Sequence, residues 1–211
     1  MPINLQELAA AEHSAVLTME IQRGVVGDLS SFPELAAATK DSDLVAHTAE
    51  LLHAARDCGV PVVHCIAEFR ADRRGSAPNA PLITAMLRRP EHLLVGSPAA
   101  EIVPGLDVHA TDIICARRHG VSPFIGTNLD PTLRNLGVTT VIATGVSLNL
   151  GILGLVIEAV NLGYRVVVAT DAVTGIPADY ALSVLRNSLS LVATLSTTTE
   201  VATVFRATTE V

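Results

Sequence analysis

Compact apolar runs alternate with helical periodicities along most of this chain. Ala15 to Met19 is an apolar run that stops at Glu20, which predicts a short buried strand. From Asp41 to Cys58 the residues Leu44, Thr48, Leu51, Leu52 and Ala55 recur at helical spacing, and Gly59 and Pro61 supply the stop. Val60 to Ile66 predicts a second strand, Asp112 to Ala116 a third, Val138 to Gly145 a fourth and Arg165 to Thr170 a fifth. Helices are expected from Thr127 to Gly137, from Asn149 to Leu162 and from Asp179 to Leu191. A strand over Ala193 to Thr197 then leads into a terminal helix, whose Thr197 and Glu200 have capping-box spacing. The stretch from Arg70 to Pro104, punctuated by Gly75, Pro78, Pro81, Pro90 and Pro98, predicts a loop excursion over one edge, with a short helical pattern in LITAML.

Strands that are apolar on both faces and alternate with helices predict a parallel sheet covered on each side. The expected fold is a three-layer α/β domain over residues 1–211, with a doubly wound, Rossmann-like sheet of about six parallel strands. In such sheets ligands bind beyond the carboxyl ends of the strands, where strand order reverses, so polar residues just after strands become the candidates for chemistry. The segment GILGLVIEAVNLG departs from the usual amphipathic pattern, being apolar nearly all round. Burial on more than one side, partly against a second copy in a homo-oligomer, is the expectation.

Composition narrows the function classes. Aromatic residues are only 3% of the chain, so the core is built from aliphatic side chains. A formal net charge of −7, without a basic stripe interleaved with aromatics, argues against nucleic acid as a partner. The most apolar stretch, Val141 to Val160, is broken by Thr144, Ser147, Asn149 and Glu158, so no membrane partner is expected either. Cys58, Cys65 and Cys115 are odd in number and widely spaced, which reads as reduced thiols in a cytoplasmic protein. The opening MPINLQELAAAEHS has no pattern of an export signal.

The segments TMEIQRG, IICARRHGVSPFIGTNLDPTLRNLGV, TTVIATGVSLNLGI and NLGYRVVVATDAV carry a resemblance. In order and spacing they resemble the isochorismatase-like cysteine hydrolase superfamily, from Ser14 to Phe205. In that family an Asp closes the first strand, a Lys follows the third and a Cys opens the helix after the fourth. Here the matching places hold Glu20, Arg118 and Gly151. The resemblance further implies that Gln22 orders the strand-end loop, and that Gln22, Phe124, Ser147 and Leu150 border the substrate. It also implies a cis peptide before Ser147.

A thiolate at a helix N-terminus attacks an amide or ester carbonyl in the ordinary members; Gly151 closes that route. Isochorismatases proper resemble this chain in using Gly there, and hydrolyse a vinyl ether without covalent attachment. The resemblance therefore implies a hydrolase of a small anionic or carbonyl-bearing molecule, with Glu20 as acid, Arg118 as electrostatic anchor and Gly151 leaving room. The alternative is a catalytically silent binding or assembly protein, in which Glu20 and Arg118 form a buried ion pair. Neither a metal nor another cofactor is expected, because Asp28, His47, His53 and His92 lack metal-ligand spacing. His64 and Cys65 fall inside a strand and read as core, and His119 reads as a surface residue.

Overall fold

The computed structural model describes residues 4–209. Its six strands are β1 (Ser14–Met19), β2 (Val62–Ala67), β3 (Ile113–Arg117), β4 (Thr140–Gly145), β5 (Arg165–Val173) and β6 (Thr194–Ser196). They form one sheet in the order β3-β2-β1-β4-β5-β6, with every neighbouring pair parallel. The helices are α1 (Leu5–Leu8), α2 (Pro33–Asp41), α3 (Leu44–Asp57), α4 (Pro81–Leu87), α5 (Leu129–Asn135), α6 (Leu153–Asn161), α7 (Ala178–Asn187) and α8 (Thr198–Thr209).

Strand alternation divides the apolar side chains between two layers. Val16 and Ile142 face a core shared with Leu44, Leu51 and Leu52 of α3 and Val201 and Phe205 of α8. Ala15, Leu17, Met19 and Ala143 face the other, filled by Leu129 and Leu133 of α5, Leu155 and Val156 of α6, and Val184 of α7. Every residue of β1, β2 and β4 is buried, as a sheet covered on both faces requires.

The expected fold class is therefore the observed one, with differences in detail. The helix expected from Asp41 begins at Leu44, because Asp43 adopts a left-handed backbone (φ 49°) that ends the preceding α2. That helix escapes a periodicity reading because only Leu35 and Thr39 are buried along it. β5 runs on past Thr170 to Val173 after a register shift against β4. Thr197 and Glu200 form the expected capping box, the Thr197 N–H donating to Glu200 Oε2 at 2.9 Å. On α6, Ile157 and Val160 remain exposed, so this helix buries less of its apolar circumference than its composition suggests. Among the described residues no helix is long and apolar enough to cross a membrane.

From β1 the chain builds outward through β2 to β3, then returns to place β4 on the opposite side of β1. The strand order thus reverses between β1 and β4, and their carboxyl ends open the crevice that such sheets use for ligands.

Candidate active site

At that crevice Met19 and Gly145 are register partners, and a side chain at Gly145 is impossible: a Cβ would lie 2.2 Å from the Met19 carbonyl oxygen. Gly145 is also at φ +110°. The Val146 N–H donates to Met19 O at 2.9 Å, fixing the exit of β4 against that of β1. The Val146–Ser147 peptide is cis, as the resemblance implies. A π-helical turn, Leu148–Ile152, then leads into α6, in place of the regular helix expected from Asn149.

Glu20 follows β1 with its own φ at +53°, the left-handed region that a branched or long side chain seldom occupies. Such a conformation costs about 1–2 kcal/mol. Held this way, its Oε1 accepts a hydrogen bond from Arg117 Nη2. Arg117 ends β3, is only 4% exposed, and spends its Nε on Gly120 O at 3.2 Å, while its Nη1 is buried without a partner among the described residues.

Glu20, Arg117, Ser147, Asn149, Leu150 and Gly151 together line a cavity of about 220 Å³. Its remaining wall is mostly apolar: Val25, Phe32 and Leu35 from the segment after β1, Leu82 and Met86 of α4, Leu93, Val121 and Ile176. His92 is the other polar member, with its ring edge-on to Phe32 at 5.6 Å between centroids. Burial, then the neighbouring cations Arg89 and Arg73, push its pKa down to about 4.

The sequence expectation for the cation needs correcting. Arg118 is 46% exposed along its side chain and donates to Glu68 Oε1 at 3.1 Å, outside this cavity. Successive residues point to opposite sides of a strand, so the one-residue difference between Arg117 and Arg118 decides which guanidinium enters the site. Two further expectations also move. Gln22 is fully buried and does order the strand-end loop: its side chain donates to Ala67 O (2.9 Å) and Ala100 O (2.8 Å) and accepts from Ala67 N–H (2.8 Å). It does not line the cavity. Phe124 packs against Tyr164 in the opposite core layer, with ring centroids 5.9 Å apart, and is likewise away from the cavity. Glu20, Ser147, Leu150 and Gly151 are brought together on its wall.

None of the three thiols lines the cavity: Cys58 caps α3, and the other two lie in the sheet. Cys65 and Cys115 are register partners on β2 and β3, and burial raises both pKa values. Beneath the site His64 Nδ1 meets Thr18 Oγ1 at 2.8 Å and its Nε2 meets Asp112 Oδ2 at 3.2 Å. Asp112 in turn accepts from Arg56 at 2.7 and 3.1 Å. The His64 ring is completely buried, so this chain of contacts ties β1, β2, α3 and the entry to β3 together as structure.

Comparison with known proteins shows the family. The model of the "Isochorismatase domain" family matches residues 14–200. The chain belongs to the isochorismatase family. It is 36% identical over 75 residues to the uncharacterized isochorismatase family protein YwoC of Bacillus subtilis strain 168, a stretch covering 36% of this chain and 39% of that protein. It is 29% identical over 133 residues to a maleamate amidohydrolase of Pseudomonas putida KT2440, covering 61% of this chain and 59% of the relative. Both matches thus span less than two thirds of the relatives' length. In fold, a cysteine hydrolase from Pseudomonas syringae pv. phaseolicola 1448A superimposes with a TM-score of 0.80 at 22% identity, over 99% of this chain and 96% of the other. Within this family the chain carries Gly151, Glu20 and Arg117 at the mouth of the sheet, and Gly151 offers no nucleophile.

Proposed function

We propose that this isochorismatase-family protein hydrolyses a small molecule bearing a carboxylate or carbonyl group, and does so without a cysteine nucleophile. The observation that carries this reading is Arg117, a buried guanidinium that lines a cavity together with Glu20 and whose Nη1 has no hydrogen-bond partner among the described residues. A buried cationic donor without an acceptor is costly, and a substrate oxygen relieves that cost. Glu20 Oε1 is taken by Arg117, while Oε2 carries no hydrogen bond among the described residues and is the atom that exchanges a proton with the reacting group. Water adds directly: in an amide or ester its oxygen joins the carbonyl carbon, the C–N or C–O bond breaks and the leaving group departs with a proton; in a vinyl ether the terminal carbon is protonated, the water oxygen joins the ether-bearing carbon, and the C–O bond of the resulting hemiketal breaks to release the alcohol and a carbonyl product. Gly151 places no nucleophilic side chain at the position where the family's thiolate would stand. The Pseudomonas putida relative, named for maleamate, supports a small carboxylate-bearing amide as the first substrate to try.

The silent reading is favoured by one observation, that Glu20 and Arg117 already satisfy each other. Turnover separates the two. Maleamate, other short carboxylate-bearing amides and esters, and a carboxylate-bearing vinyl ether should include at least one substrate whose hydrolysis Glu20→Gln abolishes while the fold survives. Binding of these compounds with no turnover of any would establish the silent protein instead.

A further inference from the structure

We propose that His92 is a substrate-binding residue, its Nε2 exchanging a hydrogen bond with a hydroxyl carried by the same small molecule whose anionic group meets Arg117. This deepens the reading above and rests on it. His92 is only 3% exposed, yet it lines the cavity, and its Nε2 is buried with no hydrogen-bond partner among the described residues. The other ring nitrogen is engaged, Nδ1 lying 3.3 Å from Ser31 Oγ. The ring is braced between Phe32 and Phe69, at centroid distances of 5.6 and 6.1 Å, and the backbone carbonyl of His92 accepts from Arg73 Nη1 at 3.2 Å.

A histidine serving only to fill a core would satisfy both nitrogens or be replaced by an apolar residue, since buried polar atoms are almost always bonded. Here the unsatisfied atom belongs to a residue that lines the same mostly apolar cavity as Glu20 and Arg117. Burial, with the cations Arg89 and Arg73, keeps the ring neutral near pH 7. A neutral imidazole offers one donor and one acceptor, and a hydroxyl can meet Nε2 in either tautomer. A hydroxyl is therefore the chemistry this wall recognises, alongside the carboxylate or carbonyl recognised by Arg117.

The cavity, at about 220 Å³, exceeds the roughly 150 Å³ of an engineered site that takes up benzene, so aromatic acids are suitable probes. Binding of benzoate, 3-hydroxybenzoate and 4-hydroxybenzoate should be measured by calorimetry on the wild type and on His92→Phe, His92→Gln and Arg117→Gln, each confirmed folded by circular dichroism. The expected result is that one hydroxy isomer binds the wild type about five- to tenfold more tightly than benzoate. His92→Phe should erase that advantage without changing benzoate affinity, and His92→Gln should restore part of it. If benzoate binds and is weakened by Arg117→Gln, but neither hydroxyl adds affinity or the gain persists in His92→Phe, the role of His92 is overturned and the anion reading stands. Benzoate binding that is absent, or indifferent to Arg117→Gln, overturns both.

Discussion

Adding back a side chain at position 151 is the most direct probe of a site organised around a glycine. A Cβ there would sit 2.9 Å from the Val146 carbonyl oxygen and 3.2 Å from Met19 Cε. The methionine methyl can swing aside, but the peptide oxygen is anchored, because Val146 N–H is bound to Met19 O and the Ser147 carbonyl accepts from Ile152 N–H at 3.0 Å. Overpacking of this kind costs about 1–3 kcal/mol. Replacing glycine in a helical turn returns about 1 kcal/mol of backbone entropy. Gly151→Ala should therefore lose about 1 kcal/mol, which for a chain of this size lowers Tm by about 2–4 °C in a calorimetric scan. Gly151→Cys meets the same obstruction and projects its sulfur toward a Glu20–Arg117 pair instead of the family's Asp and Lys. It should gain no turnover of maleamate that iodoacetamide abolishes. An alanine variant melting at or above the wild type would show that the backbone yields freely, and alkylation-sensitive hydrolysis by the cysteine variant would refute the claim that the surrounding groups have left thiol chemistry behind.

Other consequences are open to simpler measurement. Arg117→Gln strands a largely buried Glu20 and should cost about 3 kcal/mol in urea denaturation, whereas Arg118→Gln, acting on a half-exposed pair with Glu68, should stay within about 0.5 kcal/mol. Burial lowers the His64 pKa, so its neutral form is favoured in the folded state. Protons then bind the unfolded chain more readily, and stability should fall as pH drops below the ordinary histidine value of 6.5. Desolvation alone would raise the Asp112 carboxyl, but its bonds from Arg56, the His109 amide and His64 hold it below 3.8, so a second loss should follow at still lower pH. A His64→Gln variant should flatten the first of these slopes in a pH series of Tm values. Native iodoacetamide treatment should label Cys58, which is partly exposed, well before Cys65 or Cys115, and leave any turnover unchanged; inactivation that tracks labelling of either buried thiol would reinstate a cysteine mechanism.

Strands β1 to β5 were legible because each carries a short apolar run ended by a polar residue or glycine, a signal that depends only on near neighbours. Glu20 was legible as the polar residue directly after a buried strand, whereas Gly151 was marked only by the family resemblance. The cation was misplaced by one residue because CARRHG presents two adjacent arginines, and sequence spacing does not tell where the strand stops alternating. The structure ends β3 at Arg117, turning that side chain into the cavity and leaving Arg118 to Glu68. His92 was missed for a different reason. It lies in the loop excursion beyond α4, where no periodicity fixes its direction, and it joins the site because Phe69 N–H donates to Leu93 O at 2.7 Å and draws that loop across the ends of β1 and β2.

A carboxylate and a guanidinium in contact are compatible with catalysis and with mere mutual satisfaction, so the balance rests on what surrounds them. A pair retained only for packing has no need of a left-handed backbone at Glu20, since a glycine or a residue in ordinary geometry would fill the turn at lower cost. Nor does it need an open, mostly apolar volume beside it, or two buried nitrogens, Arg117 Nη1 and His92 Nε2, held without partners. The strained backbone is a cost that packing alone does not explain, and a bound polar small molecule would offset the cost of the unpartnered nitrogens. Ligand binding should accordingly raise thermal stability by more than the same compound's contacts with an apolar wall alone provide, and Arg117→Gln or His92→Phe should remove that excess.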